Sequence, residues 1–299
     1  MSRPLATVVL PYRDWRLGNS LWLSAHFLSS ALQHGFVIQD AGFSPYDAWY
    51  PRFDSPFVAV DPAEAARWQR RRRWLRRCPS GRFGPFAHIN SLRPGFLALQ
   101  RQQNAARGIC HQSLDDAHWR RLVSGARTVV ATDYFFRATE LVLRHRQEIR
   151  RVLAPNASVI HQADAAMGEF AGQRVLGVHQ RLGDYRTYQG GRYAFPNEVY
   201  AQWIEQAVTV LPQGEWSIAV FSDECAGMPA IASLSVRRMK GDAAIDLECL
   251  SRCDAILGPP SSFSLWAAWI KDVPLVQMMT QDQVFGAGDF HPVDPLRMP

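Results

Sequence analysis

No stretch of this sequence reaches the roughly 18 uninterrupted apolar residues that a membrane-spanning helix requires, which excludes a spanning segment. Cysteine is scarce. The five present, Cys78, Cys110, Cys225, Cys249 and Cys253, are an odd number, with no C-x-x-C pair and no histidine at zinc-finger spacing. Free thiols in a reducing, cytoplasmic compartment are the expectation. The N-terminal apolar run meets Pro11 and charge before it is long enough for a secretory core, in keeping with that. Cys249 and Cys253 would share a helix face, where packing is the plainer reading and metal ligation lacks two further ligands. Glycine and proline stand near ordinary usage, so collagen-like and low-complexity chains are excluded. The P-loop, the G-x-G-x-x-G fingerprint, H-E-x-x-H, G-x-S-x-G and any Asp-x-Asp pair for a metal-bridged sugar nucleotide are all missing. An anion held by arginine and backbone donors, without a metal clamp or cofactor, is what remains.

What is present describes a globular α/β chain of 299 residues, 47% hydrophobic and 20% charged. The net charge of +6 invites nucleic acid, but the excess is local: Arg70, Arg71, Arg72, Arg73, Arg76 and Arg77 supply all of it within QRRRRWLRR. A basic surface built for nucleic acid is therefore not expected. On a helix these arginines would surround Trp68, Trp74 and Leu75 as a solvated face. Contact with an anionic membrane surface or an acidic acceptor is the alternative, which would put the protein at the periphery of the inner membrane face.

Along the chain, a β-branched run at 6–10 and a buried-type helix at 21–32 open an α/β unit. Residues 40–62 and 79–94 read as loop, 128–132 as a strand and 138–153 as one amphipathic helix. Ala154-Pro155-Asn156 stops that helix and marks a boundary between domains 1–155 and 156–299, with 156–172 as the crossing segment. The second half alternates more clearly, with strands at 174–179, 216–221, 255–258 and 273–278 and helices at 196–211, 243–253 and 264–270. Strands separated by helices imply a parallel sheet, whose ligands bind beyond the carboxyl ends of the strands.

Chemistry-bearing residues stand at those ends. His179 and Arg181 alternate on an extended chain and can reach one ligand, before Gly183 turns the chain into Asp184-Tyr185. The site reads as anion-binding, against a surface ion pair. Ser261, Ser262 and Ser264 offer cap hydroxyls at a helix start whose backbone N–H groups can hold an anion; a capped buried helix is compatible with the same residues. Asp223 follows the 216–221 strand and could accept from a base edge, a ribose hydroxyl or the next helix. Asp246 is the preferred ligand over Asp242, which alone can explain a cap.

Taken in order, these blocks resemble the inverting fucosyltransferases of the α-1,2 group and, more distantly, the α-1,6 and protein O-fucosyltransferases. GVHQRLGDY (177–185) is similar to that family's H-x-R-R-G-D-Y, AVFSDE (219–224) to F-S-D-D, and DLECLSRCDAILGPPSSFSLWAAWI (246–270) to D-L-x-L-M-S-x-C running into S-S-F-S-W-W. RLGNSLWLSAHFLSSAL (16–32) resembles its N-terminal Gly-Leu-Gly-Asn-Gln segment. Leu182, Ser20, Glu224 and Leu265 depart from the patterns. The resemblance implies a GT-B architecture, two Rossmann-like domains facing a cleft, and a GDP-sugar, typically GDP-fucose, held mainly by the C-terminal half. It gives Arg181 the diphosphate, His179 the donor wall, the backbone at Ser262-Phe263 a phosphate contact, and Asp223 and Asp246 the ribose or guanine. Gly18 and Asn19 would lie in a cleft-facing loop. Fucose would pass with inversion to a glycan hydroxyl, with Asp184 as first candidate for the base, His179 as second, and Arg181 and Asp184 on opposite sides of the reacting carbon. Use of another GDP-sugar, or a non-catalytic module binding anions or nucleic acid through the arginine run, are the rival readings. Residues 43–53 and 186–195 are the expected acceptor loops.

Overall fold

The computed structural model describes residues 7–10, 15–52, 55–59, 96–99, 128–131, 136–224, 227, 231 and 234–295. The arginine run therefore lies outside the described residues. Two compact units divide between Ala154 and Pro155.

In the first unit, β1 (Thr7–Leu10) leads into α1 (Leu17–His34), which buries residues on all sides from Leu17 to Ala31. Gly35 ends α1 in the left-handed region at φ 78°, donating its N–H to Ala31, a conformation that glycine adopts without penalty. Gly18 and Asn19, expected in a loop, form the first turn of α1. The apolar run from Leu17 can bury itself as helix that early, so the Gly-Asn pair does not delay its start.

β2 (Val37–Asp40), β3 (Phe96–Leu99) and β4 (Thr128–Ala131) complete a parallel sheet of order β2-β1-β4-β3. The expected single helix at 138–153 is two, α2 (Thr139–Arg144) and α3 (Arg146–Val152), because His145 leaves helical geometry at φ −100°, ψ 19°.

The second unit opens on α4 (Ala157–Gly168) where a crossing segment was expected. Asn156 caps it by accepting from the Val159 N–H, and Val159 and Ala163 are buried. β5 (Arg174–Gln180), α5 (Asn197–Val210), β6 (Trp216–Ser222), β7 (Ser235–Arg238), α6 (Ala243–Leu250), β8 (Ala255–Gly258), α7 (Ser262–Lys271) and β9 (Leu275–Gln277) follow. All neighbouring strands are parallel, in the order β7-β6-β5-β8-β9. One core lies under α5, whose Val199, Tyr200, Trp203, Ile204 and Ala207 recur at helical spacing against Leu176, Val178, Ile218 and Val220. On α6 and the turn after it, Cys249 and Cys253 are buried free thiols, as packing residues should be. A Cβ at Gly177 would sit 2.6 Å from Leu250 Cδ1 and 2.8 Å from Cys253 Sγ, so β5 approaches this layer only because position 177 has no side chain.

The chain runs outward from β5 to β6 and β7, then returns to β8 on the other side of β5. The sheet's switch point thus falls between β5 and β8, where crevices form beyond the strands' carboxyl ends.

Candidate active site

At the carboxyl end of β5, His179 and Gln180 are buried, and Arg181, just beyond it, is mostly so. Each of these three consecutive residues keeps one buried polar atom without a hydrogen-bond partner: His179 Nδ1, Gln180 Oε1 and Arg181 Nε. Such orphans cost stability individually, and three in a row mark a surface prepared for a ligand. Burial, helped by the neighbouring Arg181 charge, pushes the His179 imidazole down to about 3. It is neutral at ordinary pH and a weak proton acceptor, which suits lining a donor better than serving as base.

Arg181 is gripped from two sides. Its Nη2 lies 2.8 Å from Asp184 Oδ1 and its Nη1 3.1 Å from Asp223 Oδ2. The β5–β6 register pairs Gln180 with Ser222, which delivers Asp223 beside Arg181. Asp223 Oδ1 also accepts from the backbone N–H groups of Leu182 (3.0 Å) and Gly183 (3.3 Å). So Asp223 shapes the loop that carries Arg181. Asp184, the first candidate for the base, is an ion-pair partner of Arg181. One turn of 3₁₀ geometry over Asp184–Arg186 brings the two together.

Across the switch point, Ser261 caps α7: its Oγ accepts from the Phe263 N–H at 3.3 Å, and Ser264 Oγ donates to the Ser261 carbonyl at 3.2 Å. Ser262 is half-buried on the same turn. The two loops are joined directly. Tyr185 donates its hydroxyl to the Pro260 carbonyl, and the His179 and Phe263 rings stand 5.1 Å apart. Gly258 lets β8 come this close, since a Cβ there would meet the His179 carbonyl at 2.7 Å. His179, Arg181, Asp184, Asp223 and the Ser261-Ser262-Phe263-Ser264 turn therefore form one site.

Asp246 lies in a different space. It lines a cavity of about 660 Å³ with Lys240, Gly241, Asp242, Arg238 and Gln162, whose walls include none of those residues. Its Oδ1 accepts from the Gly241 N–H at 2.9 Å, and burial pushes its carboxyl up to about 7. Asp242 holds the cap position of α6 without a side-chain cap bond. Gly18 and Asn19 belong to the other unit. Among the described residues, no three His, Cys, Asp or Glu side chains gather as a metal site would need.

Sequence reasoning gave no role to Tyr185, Tyr200, Gln180 or Gly258. Tyr200 accepts from the Arg181 N–H at 3.4 Å, and Gln180 Nε2 donates to Asn197 Oδ1 at 2.6 Å. The signal for Tyr185 stood inside the quoted GVHQRLGDY block; that for Gly258 was its place between a buried strand and two prolines.

No family model and no curated protein matches the chain. Solved structures do. Arabidopsis thaliana FUT1, as a variant in complex with GDP, aligns with a TM-score of 0.59 at 12% identity, over 96% of this chain and 74% of that one. The fucosyltransferase NodZ from Bradyrhizobium aligns at 0.56 and 18% identity, covering 91% of this chain and 96% of its own. NodZ α-1,6-fucosyltransferase co-crystallised with GDP gives 0.57 at 18% identity, over 91% and 95%. The likeness is one of fold: the chain is an α/β protein of the GT-B, Rossmann-like kind that these fucosyltransferases share.

Proposed function

We propose that this chain is a glycosyltransferase that moves fucose from GDP-fucose to a hydroxyl of a glycan acceptor, with inversion and without a metal ion. The observation that carries the reading is the junction, through Tyr185 and Pro260, of the loop that bears Arg181 with the N-terminal turn of α7 at the switch point of the second sheet. A diphosphate there meets a planar guanidinium and the positive end of a helix, the donors that this leaving group needs. NodZ, whose fold this chain shares, has been soaked with GDP-fucose. The α-1,2 resemblance and the α-1,6 neighbour name different linkages, and product analysis decides between them.

The cavity at Asp246 suits the nucleobase. Two strand spacings, about 10 Å in all, separate the ends of β5 and β7 in a sheet of this kind, a span that a nucleoside diphosphate covers. In the reaction, the bond from the anomeric carbon to the β-phosphate oxygen lengthens, and negative charge grows on GDP through an oxocarbenium-like state. Arg181 and the α7 amides stabilise that charge where it forms. As the guanidinium turns to phosphate, Asp184, half of whose side chain is exposed, is the group that accepts the acceptor's proton. The six arginines from Arg70 to Arg77 support peripheral contact with anionic lipid at the inner membrane face.

Thermal stabilisation against a panel of nucleotide sugars tests the reading, because selective binding to the folded state raises its stability. GDP and GDP-fucose are expected to stabilise the protein equally well with or without chelator. An equal response to UDP-sugars, or dependence on a divalent ion, refutes it. Preference for a different GDP-sugar corrects the donor alone.

A further inference from the structure

We infer that Tyr188 is the platform on which a hexopyranose of the acceptor glycan stacks, an assignment that rests on the donor site proposed above. Among the described residues Tyr188 is one of few large apolar side chains left open to solvent, at 49% exposure. Its placement is continuous with the donor site. The Arg181 guanidinium lies 5.4 Å from the centre of the Tyr185 ring, and Tyr185 stacks on Tyr188 with ring centres 5.4 Å apart and planes 25° from parallel. Tyr185 is itself fixed, by its hydroxyl to Pro260 and by Tyr193 packed at 6.2 Å. One face of Tyr188 is thus taken by a rigid ring in contact with the phosphate-binding arginine.

The backbone holds Tyr188 there at a cost. Gln189 sits at φ 48°, in the left-handed region that a residue with a side chain rarely adopts, and Gly190 and Gly191 follow at 72° and 83°. A Cβ at Gly191 would lie 3.0 Å from the Arg186 carbonyl, so the turn is closed against the preceding strand of loop. The Gln189 amide reaches the Tyr188 hydroxyl at 3.3 Å, leaving the ring face unobstructed by that contact. An aromatic ring presents negative potential on its face, and a pyranose presents a face of weakly positive C–H groups. Asp184, the base in the proposed reaction, stands four residues earlier on the same pair of turns. A tyrosine that served packing alone would cover more of its ring than Tyr188, which is 49% exposed beside the strained Gln189.

The test uses Tyr188→Ala, Tyr188→Phe and Tyr188→Trp in the full chain. With GDP present, saturation-transfer NMR and titration follow lactose, diacetylchitobiose and cellotriose as probes. Wild type is expected to bind at least one. Tyr188→Ala should weaken that binding about tenfold or more, while the Phe and Trp variants, which keep the ring, stay within about threefold. Binding by Tyr188→Ala within twofold of wild type overturns the assignment, as does the lack of saccharide binding by wild type across the panel. GDP-induced stabilisation, measured in the same samples, reports separately on the donor. Its absence in wild type refutes the fucosyltransferase reading, whereas its presence without saccharide binding refutes only the platform.

Discussion

Arg181 reaches its task already paired, and its predicted behaviour follows from that. Replacing it with Lys keeps one charge but loses the fork that spans Asp184 and Asp223 at once. Arg181→Lys should lower transfer by ~10²–10³ and diminish GDP stabilisation. Turnover near wild type in a single-turnover assay would disprove the phosphate assignment. Asp246 gives a pH signature. Its carboxyl is lifted to about 7 chiefly by burial, and in the proposed nucleobase role it accepts more strongly from an N–H once ionised. GDP affinity should therefore rise as pH climbs from 6 to 8, and Asp246→Asn should flatten the profile. Titrations at several pH values that show no slope in wild type contradict this role. His179, Arg181 and the serine turn were legible in the sequence because a strand end followed by alternating donors and a capped helix start are local patterns. The work of Asp223 was not. What a carboxylate binds depends on which strand lies next to it, and the Gln180–Ser222 pairing is a fact of topology.

Elements were legible where apolar periodicity was strong. β5, β6 and α5 fall close to where their patterns put them. β7 (SVRR) and β2 (VIQD) escaped because four-residue strands at a sheet edge carry too little alternation to stand out, and β7's two arginines look like loop. α4 escaped because its own face is weak: only Val159 and Ala163 are buried, and packing against α6 completes it. The close approach of β8 to β5 yields a prediction at this scale. A Cβ at Gly258 meets backbone, the His179 carbonyl, which cannot swing aside as a side chain can. Gly258→Ala should cost about 1–3 kcal/mol, as overpacked interiors do, and should weaken GDP binding by parting the two loops. Urea denaturation with and without GDP checks both halves, and wild-type midpoints in both conditions would show that the approach is not needed.

At the scale of the whole molecule, each unit buries one neutral histidine among the described residues. His26, in α1, accepts from the Ala138 N–H and is held at about 3 by burial; His179 is held equally low in the other unit. Both are depressed below the ordinary 6.5, so the unfolded chain binds more protons between the two values. Each histidine therefore adds stability as pH rises from about 3 to 6.5, and that contribution is lost on acidification. Asp246, shifted upward, opposes them between its unfolded value and about 7. The sign for a histidine is read by difference: His26→Gln and His179→Gln should each lose less stability than wild type between pH 7 and 4.5. Equal losses in denaturant titrations would mean that the buried rings do not titrate on unfolding. The sheet orders carry a consequence in time. β5 meets β6 after about 40 residues of intervening chain, but β1 meets β4 only after about 120, a gap that raises the entropy of closure by roughly 1 kcal/mol. During synthesis β1 must wait for residue 128 before its inner neighbour exists, with only β2 at its other edge. Of the described strands, β1 thus waits longest for its second neighbour, and its parallel edge stays open while about 120 residues of chain are made.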